Sequence, residues 1–137
     1  MGVLIDSSVL IEAERKGLTA RQALVAIESR FPNQDVVMSV ISLAELAHGV
    51  ARADTMARKQ QRLKFMGDWR LAVVSLPVTD AVALKAGQID GDSKARGVQI
   101  PFSDLLIGVT ALEAGHTVVT SNVRHFQMIP GLAVTPF

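Results

Sequence analysis

Short apolar, β-branched runs recur along this chain, and each gives way to a stretch with helical spacing. Gly2–Ile5 reads as a buried strand, after which Val9, Leu10 and Ala13 keep helical spacing until Gly17. Thr19 is placed to cap a second helix, in which Leu24, Ile27 and Phe31 hold the apolar period up to Pro32. Asp35–Val40 has the β-branched content of a second strand, and Ser42-Leu-Ala-Glu45 has the spacing of a capping box that opens a third helix. A basic helical stretch then runs to Trp69. Leu71–Leu76 reads as a third strand, Thr79–Ala95 as a helix interrupted near Gly91, and Ser103–Ala114 as an apolar helix closed by Gly115. Thr117–Thr120 reads as a fourth strand, Asn122–Met128 as a turn of helix, and Leu132–Thr135 as a fifth strand.

Strands separated by helices predict an α/β domain: a mostly parallel sheet of about four to five strands with helices on both faces. No repeat, low-complexity tract or linker breaks the pattern, so residues 1–137 are expected to form one domain, long enough to bury a core. In sheets of this kind, sites form outside the carboxyl ends of the strands.

Composition removes several function classes. The absence of cysteine excludes disulfides, thiolate metal sites and cysteine nucleophiles, and fits a reducing cytoplasm. No apolar run reaches the roughly 18 residues of a membrane span, and Asp6 stands where a signal peptide would be basic and then apolar. A cytoplasmic protein is expected. The net charge of +1 does not announce a nucleic-acid binder, but Arg52, Arg58, Lys59, Arg62, Lys64 and Arg70 cluster in a segment whose only acids are Asp54 and Asp68. That cluster reads either as a solvated helix face or as a phosphate-facing stripe.

Three carboxylates stand in apolar sequence beside a strand end or a helix start. Asp6 follows the first strand, Glu45 lies in Ile41-Ser-Leu-Ala-Glu-Leu-Ala47 after the second, and Asp104 opens the most apolar helix. Taken singly, Asp6 and Asp104 read as helix caps or first-turn acids favoured by the helix dipole. Glu45 fits that reading less well, because Leu43, Leu46 and Ala47 argue for burial. Taken together, converging carboxylates repel and raise one another's pKa unless a cation sits among them. Oxygen ligands of this kind suit Mg²⁺ or Mn²⁺.

The motifs around these acids are similar to those of PIN-domain ribonucleases of the VapC toxin group. Leu4-Ile-Asp-Ser-Ser-Val-Leu-Ile11 resembles that family's opening, Ser42-Leu-Ala-Glu-Leu-Ala-His-Gly49 its second acidic motif, and Ile100-Pro-Phe-Ser-Asp-Leu-Leu-Ile-Gly-Val-Thr-Ala-Leu112 its third. Val119-Thr-Ser-Asn-Val-Arg-His-Phe126 with Ile129-Pro-Gly-Leu132 resembles the closing one. The resemblance implies a PIN-like three-layer α/β/α fold and a divalent-metal-dependent endoribonuclease toxin. Its metal site would use Asp6, Glu45 and Asp104, with Mg²⁺ or Mn²⁺ as cofactor. It also implies neutralisation by a VapB-like antitoxin, and a homodimer. The closing motif departs from the pattern: the family often supplies a fourth acid there, whereas this chain has Asn122 and His125 and no carboxylate after Glu113. Asn122 and Thr120 are then expected as weak or outer ligands, and a second ion should bind weakly or only with substrate. Arg58, Lys59, Arg62, Lys64 and Arg124, with Lys94 and Arg96, are the expected RNA-backbone contacts.

Other signals carry less. Glu45-Leu-Ala-His48 is half of a di-iron Glu-x-x-His pattern whose second copy is missing. Asp90 and Asp92 flank Gly91 in what reads as a polar turn, His116 reads as a loop residue, and Trp69 and the phenylalanines as core. The common dinucleotide, NTP, serine-hydrolase and zinc-protease motifs are absent. The same acids would also suit a catalytically weak RNA- and antitoxin-binding module in a DNA-bound regulatory complex, or a phosphoacceptor domain with an aspartate nucleophile.

Overall fold

The computed structural model describes residues 1–137. Its elements are β1 (Gly2–Ile5), α1 (Ser7–Arg15), α2 (Ala20–Arg30), β2 (Asp35–Ser39), α3 (Val40–Ala51) and α4 (Met56–Ala72). They continue with β3 (Val74–Leu76), α5 (Asp80–Ala95), α6 (Phe102–Ala114), β4 (Thr117–Thr120), α7 (Val123–Gln127) and β5 (Val134–Pro136). The five strands pair in the order β3-β2-β1-β4-β5, and every pairing is parallel.

Alternation along the central strands divides the interior in two. Val3 and Ile5 of β1, Met38 of β2 and Val119 of β4 face a core closed by α1, α2 and α4, with Leu10, Ile27, Phe65 and Trp69. Their neighbours Leu4, Val37 and Val118 face the opposite core, closed by α5 and α6 with Val82, Ala86, Leu105, Ile107 and Phe126. Strands buried on both faces must be apolar at successive positions, which is why they read as runs rather than as alternations. Gly108 is the tightest approach in the second core: a Cβ there would collide with Ile129 and crowd Leu132 and Phe126.

Several boundaries differ from expectation, each for a local reason. Helix α3 starts at Val40, because Ser39 ends β2 and its hydroxyl accepts from the Ile41 N–H at 3.1 Å. Ser42 therefore caps nothing; it lies inside the helix, fully buried, with its hydroxyl unpartnered. The basic stretch is two helices, parted at Arg52–Thr55, where the Thr55 hydroxyl accepts from the Arg58 N–H. The second of them runs on through Leu71, which is 90% exposed, so β3 begins only at Val74. Gly91 does not interrupt α5, and Asp90 and Asp92 lie on that helix, where Asp90 pairs with Lys94 at 3.2 Å. Thr19 and Gln22 form the capping box of α2, and Gly115 closes α6 with a φ of 70°. Trp69, Phe65 and Phe126 are core, whereas Phe102 and Phe137 are exposed. No helix is long and apolar enough to cross a membrane.

Candidate active site

The order of the sheet reverses at β1, with β2 and β3 on one side and β4 and β5 on the other. Beyond the carboxyl ends of β1 and β4, no further strand covers the crevice, and this is where such sheets place their chemistry. Asp6 emerges there directly from β1, its backbone N–H donating to the Val119 carbonyl of β4 at 2.9 Å. Asp6 stands at the N-cap position of α1 but makes no side-chain cap bond, so capping does not account for it. Its Oδ2 instead accepts from the Thr120 hydroxyl at 2.9 Å and the Ser8 hydroxyl at 2.7 Å, and the residue is buried.

Glu45 reaches the same crevice from the second turn of α3, where its Oε1 accepts from the Ser7 hydroxyl at 2.8 Å. Asp104 arrives on the first turn of α6, with its Oδ2 2.7 Å from Nδ1 of His125. Asn122 occupies the N-cap position of α7 without capping it; its Nδ2 lies 2.7 Å from the same Nδ1. One oxygen of each carboxylate is thus held by a neighbour, while the Asp6 Oδ1, Glu45 Oε2 and Asp104 Oδ1 atoms make no side-chain hydrogen bond.

Burial pushes the Glu45 carboxyl above its ordinary value, the Ser7 hydroxyl opposing and the charges of Asp6 and Asp104 adding to the rise. Burial likewise raises Asp104, with the His125 hydrogen bond pulling down and Asp6 pushing up. The three carboxylates therefore feel one another, and no lysine or arginine pairs with any of them. As placed, they do not close into a cage of three acidic or histidine ligands. Such a donor set fits a hard cation that keeps several waters and takes only one or two carboxylates directly, as Mg²⁺ does.

The raised carboxyls carry a sign for stability. A carboxyl that holds its proton more tightly in the folded chain contributes stability fully present below its unfolded value and lost as pH climbs through the folded one. Glu45→Gln removes that loss, so without divalent ions its Tm should match the wild type below pH 4.5 and exceed it increasingly toward neutrality. A Tm difference that stays constant across that range would contradict the assignment.

The basic residues are arranged unevenly. Arg58 pairs with Asp54 just before α4, and Lys64 with Asp68 on its exposed face, where such pairs contribute little. Arg62 is structural: its Nη1 donates to the Gly49 carbonyl at 2.8 Å and its Nε lies 3.5 Å from Glu14, bracing α4 on α3 and α1. Lys59, Lys94, Arg96 and Arg124 are exposed, Arg124 on the short helix that also carries His125. A groove of about 280 Å³ opens beside Glu45 between α1, α3 and α4, with Ile11, Phe65 and Met66 in its lining and Arg15 and Arg52 among its charged residues.

The PIN domain family model matches residues 3–131, nearly the whole chain. The chain belongs to the PIN-domain family. Ribonuclease VapC1 of Rickettsia felis is 29% identical over 134 residues, covering 98% of this chain and 95% of that protein. Among solved structures, VapBC2 from Rickettsia felis bound to a promoter DNA fragment superposes with a TM-score of 0.83 at 22% identity, over 100% of this chain and 99% of its own. VapBC-5 from Mycobacterium tuberculosis, described as a member of the VapBC family of toxin–antitoxin systems, matches with a TM-score of 0.71 and 28% identity, over 99% and 96% of the two chains. The expected PIN-like α/β/α architecture and VapC likeness are both borne out; the sheet is wholly rather than mostly parallel.

What sequence reasoning underweighted is the tie from His125 to Asp104. Both residues were visible in their motifs, but nothing in the order of residues states that a ring 21 positions away closes on the acid.

Proposed function

We propose that this PIN-domain protein is a divalent-metal-dependent endoribonuclease toxin of the VapC type, held in check by a VapB-like antitoxin. The observation that carries the reading is the cluster of Asp6, Glu45 and Asp104 at the switch point of the sheet, each with one oxygen tied and the other free. Asp6 and Asp104 would hold the cation, Glu45 would complete its surroundings directly or through water, and Thr120 and Asn122 would lie just outside. Bound there, Mg²⁺ or Mn²⁺ supplies a Lewis acid for the scissile phosphate and lowers the pKa of a water beside it.

The chain's own residues do the rest. Ser8 and Thr120 fix the Asp6 carboxylate, and Ser7 fixes that of Glu45, so the free oxygens need no reorganisation when substrate arrives. Glu45 Oε2, left free while Ser7 holds Oε1, would accept a proton from the attacking water. Arg124, on the helix that carries His125, and Lys59 of α4 are both exposed and would meet the RNA backbone electrostatically. The groove beside Glu45 offers the antitoxin an apolar floor with charged walls that leads to the acids. The proposal includes a homodimer and a cytoplasmic setting, which the family likeness supports.

Product chemistry tests the reaction. Attack by water leaves linear phosphate ends, whereas attack by the neighbouring 2′-hydroxyl must first leave a 2′,3′-cyclic phosphate. Purified antitoxin-free protein with Mg²⁺ or Mn²⁺ should give linear ends only, read by end-labelling and mass spectrometry of a cleaved RNA. Cyclic phosphate ends formed without a metal ion would contradict the proposal.

A further inference from the structure

Asp104 differs from the other two acids in what holds it. Serine and threonine hydroxyls tie Asp6 and Glu45, but an imidazole ties Asp104. A ring nitrogen carries either a proton or a lone pair, so the two 2.7 Å contacts of His125 Nδ1, with Asp104 and with Asn122, compete. An ionised Asp104 can only accept. It therefore selects the form in which Nδ1 carries the proton and donates to Oδ2, and in which the Asn122 NH₂ group loses its acceptor.

We propose that His125 is a positioning residue: it donates from Nδ1 to Oδ2 of Asp104, so that Asp104 presents a single fixed oxygen, Oδ1, to one divalent cation. The inference rests on the metal-dependent reading above. Asp104 sits on the first turn of α6 and His125 on α7, and Phe126, the residue after His125, is fully buried, which anchors the imidazole's helix against α6. With no carboxylate after Glu113 in the sequence, the closing segment supplies no acid; it gives the Thr120 hydroxyl to Asp6 and, to Asp104, this hydrogen bond. Partners that orient a ligating carboxylate from behind typically contribute about 10–100-fold to metal affinity.

The test is calorimetric titration of MnCl₂ into the full-length, antitoxin-free protein and its His125→Ala and His125→Asn variants. The His125 side chain is 35% exposed, so neither change opens the core, and circular dichroism and Tm without metal should stay close to wild type. Wild type should bind one ion. His125→Ala should bind it about 10–100-fold more weakly, and His125→Asn, whose amide N–H can reach the same oxygen, should recover most of the loss. Equal affinity in His125→Ala, or an Asn variant no better than Ala, would overturn the positioning role while leaving the metal site standing. A wild type that binds no Mn²⁺ would overturn the metal site itself, and the role of His125 with it.

Discussion

Asp104→Asn protein will fold, hold a Tm at or above that of wild type in the presence of chelator, and cleave RNA at least about 100-fold more slowly than wild type. The floor of that estimate is the loss usually caused by removing an outer partner of a metal ligand, and Asp104 is argued to be a ligand itself. Asparagine is nearly isosteric and can still accept from His125, so the packing of α6 is undisturbed. Burial disfavours the charged carboxylate, so replacing it with a neutral amide costs the folded chain nothing from that source. Activity and stability should therefore separate. Initial rates on one RNA with Mn²⁺, beside thermal unfolding in EDTA, check both halves; rates within a few-fold of wild type would remove Asp104 from the chemistry.

Trp69→Ala is expected to have the largest effect on stability, roughly 3–5 kcal/mol. Trp69, on the inner face of α4, is fully buried, and its Nε1 donates to the Met38 sulfur at 3.1 Å. Alanine leaves a cavity against β2, the strand whose last residue, Ser39, caps the helix that carries Glu45. A Tm fall on the order of 10 °C or more should follow, with Trp69→Phe losing less because it refills most of the volume. Thermal or denaturant unfolding decides it, and a shift within experimental scatter would mean that the core on this face is far more adaptable than its packing implies.

The architecture was legible because strands buried on both sides must be apolar at successive positions, and Val3-Leu4-Ile5 and Val118-Val119 are. The three acids were legible for the converse reason: a carboxylate next to such a run is costly unless something beyond it compensates. Boundaries were less legible where two local signals competed. Ser42-Leu-Ala-Glu45 has the spacing of a capping box, yet Ser39, three residues earlier, takes the cap because β2 ends there. Leu71 and Ala72 read as strand but extend a helix anchored by Trp69, and Gly91 was tolerated within α5.

The supporting bonds were invisible for a different reason. Ser7 reaches Glu45 across 38 positions and Thr120 reaches Asp6 across 114, so only the closure of the sheet brings them together. Arg62 shows the same effect in reverse. Its place in a basic stretch made it a backbone contact for RNA, whereas folding commits its guanidinium to Glu14 and the Gly49 carbonyl.

The most direct test is cation dependence. Purified, antitoxin-free protein is treated with EDTA, assayed on structured RNAs, then assayed again after Mg²⁺ or Mn²⁺ is restored, with Asp104→Asn run alongside. Cleavage that disappears with chelation, returns with the ion and stays absent in the variant is the predicted result. Cleavage that persists in EDTA, or in folded Asp104→Asn at the wild-type rate, would contradict it. No cleavage from folded wild type with either ion would contradict it too, and would favour a module that binds RNA and antitoxin without turnover.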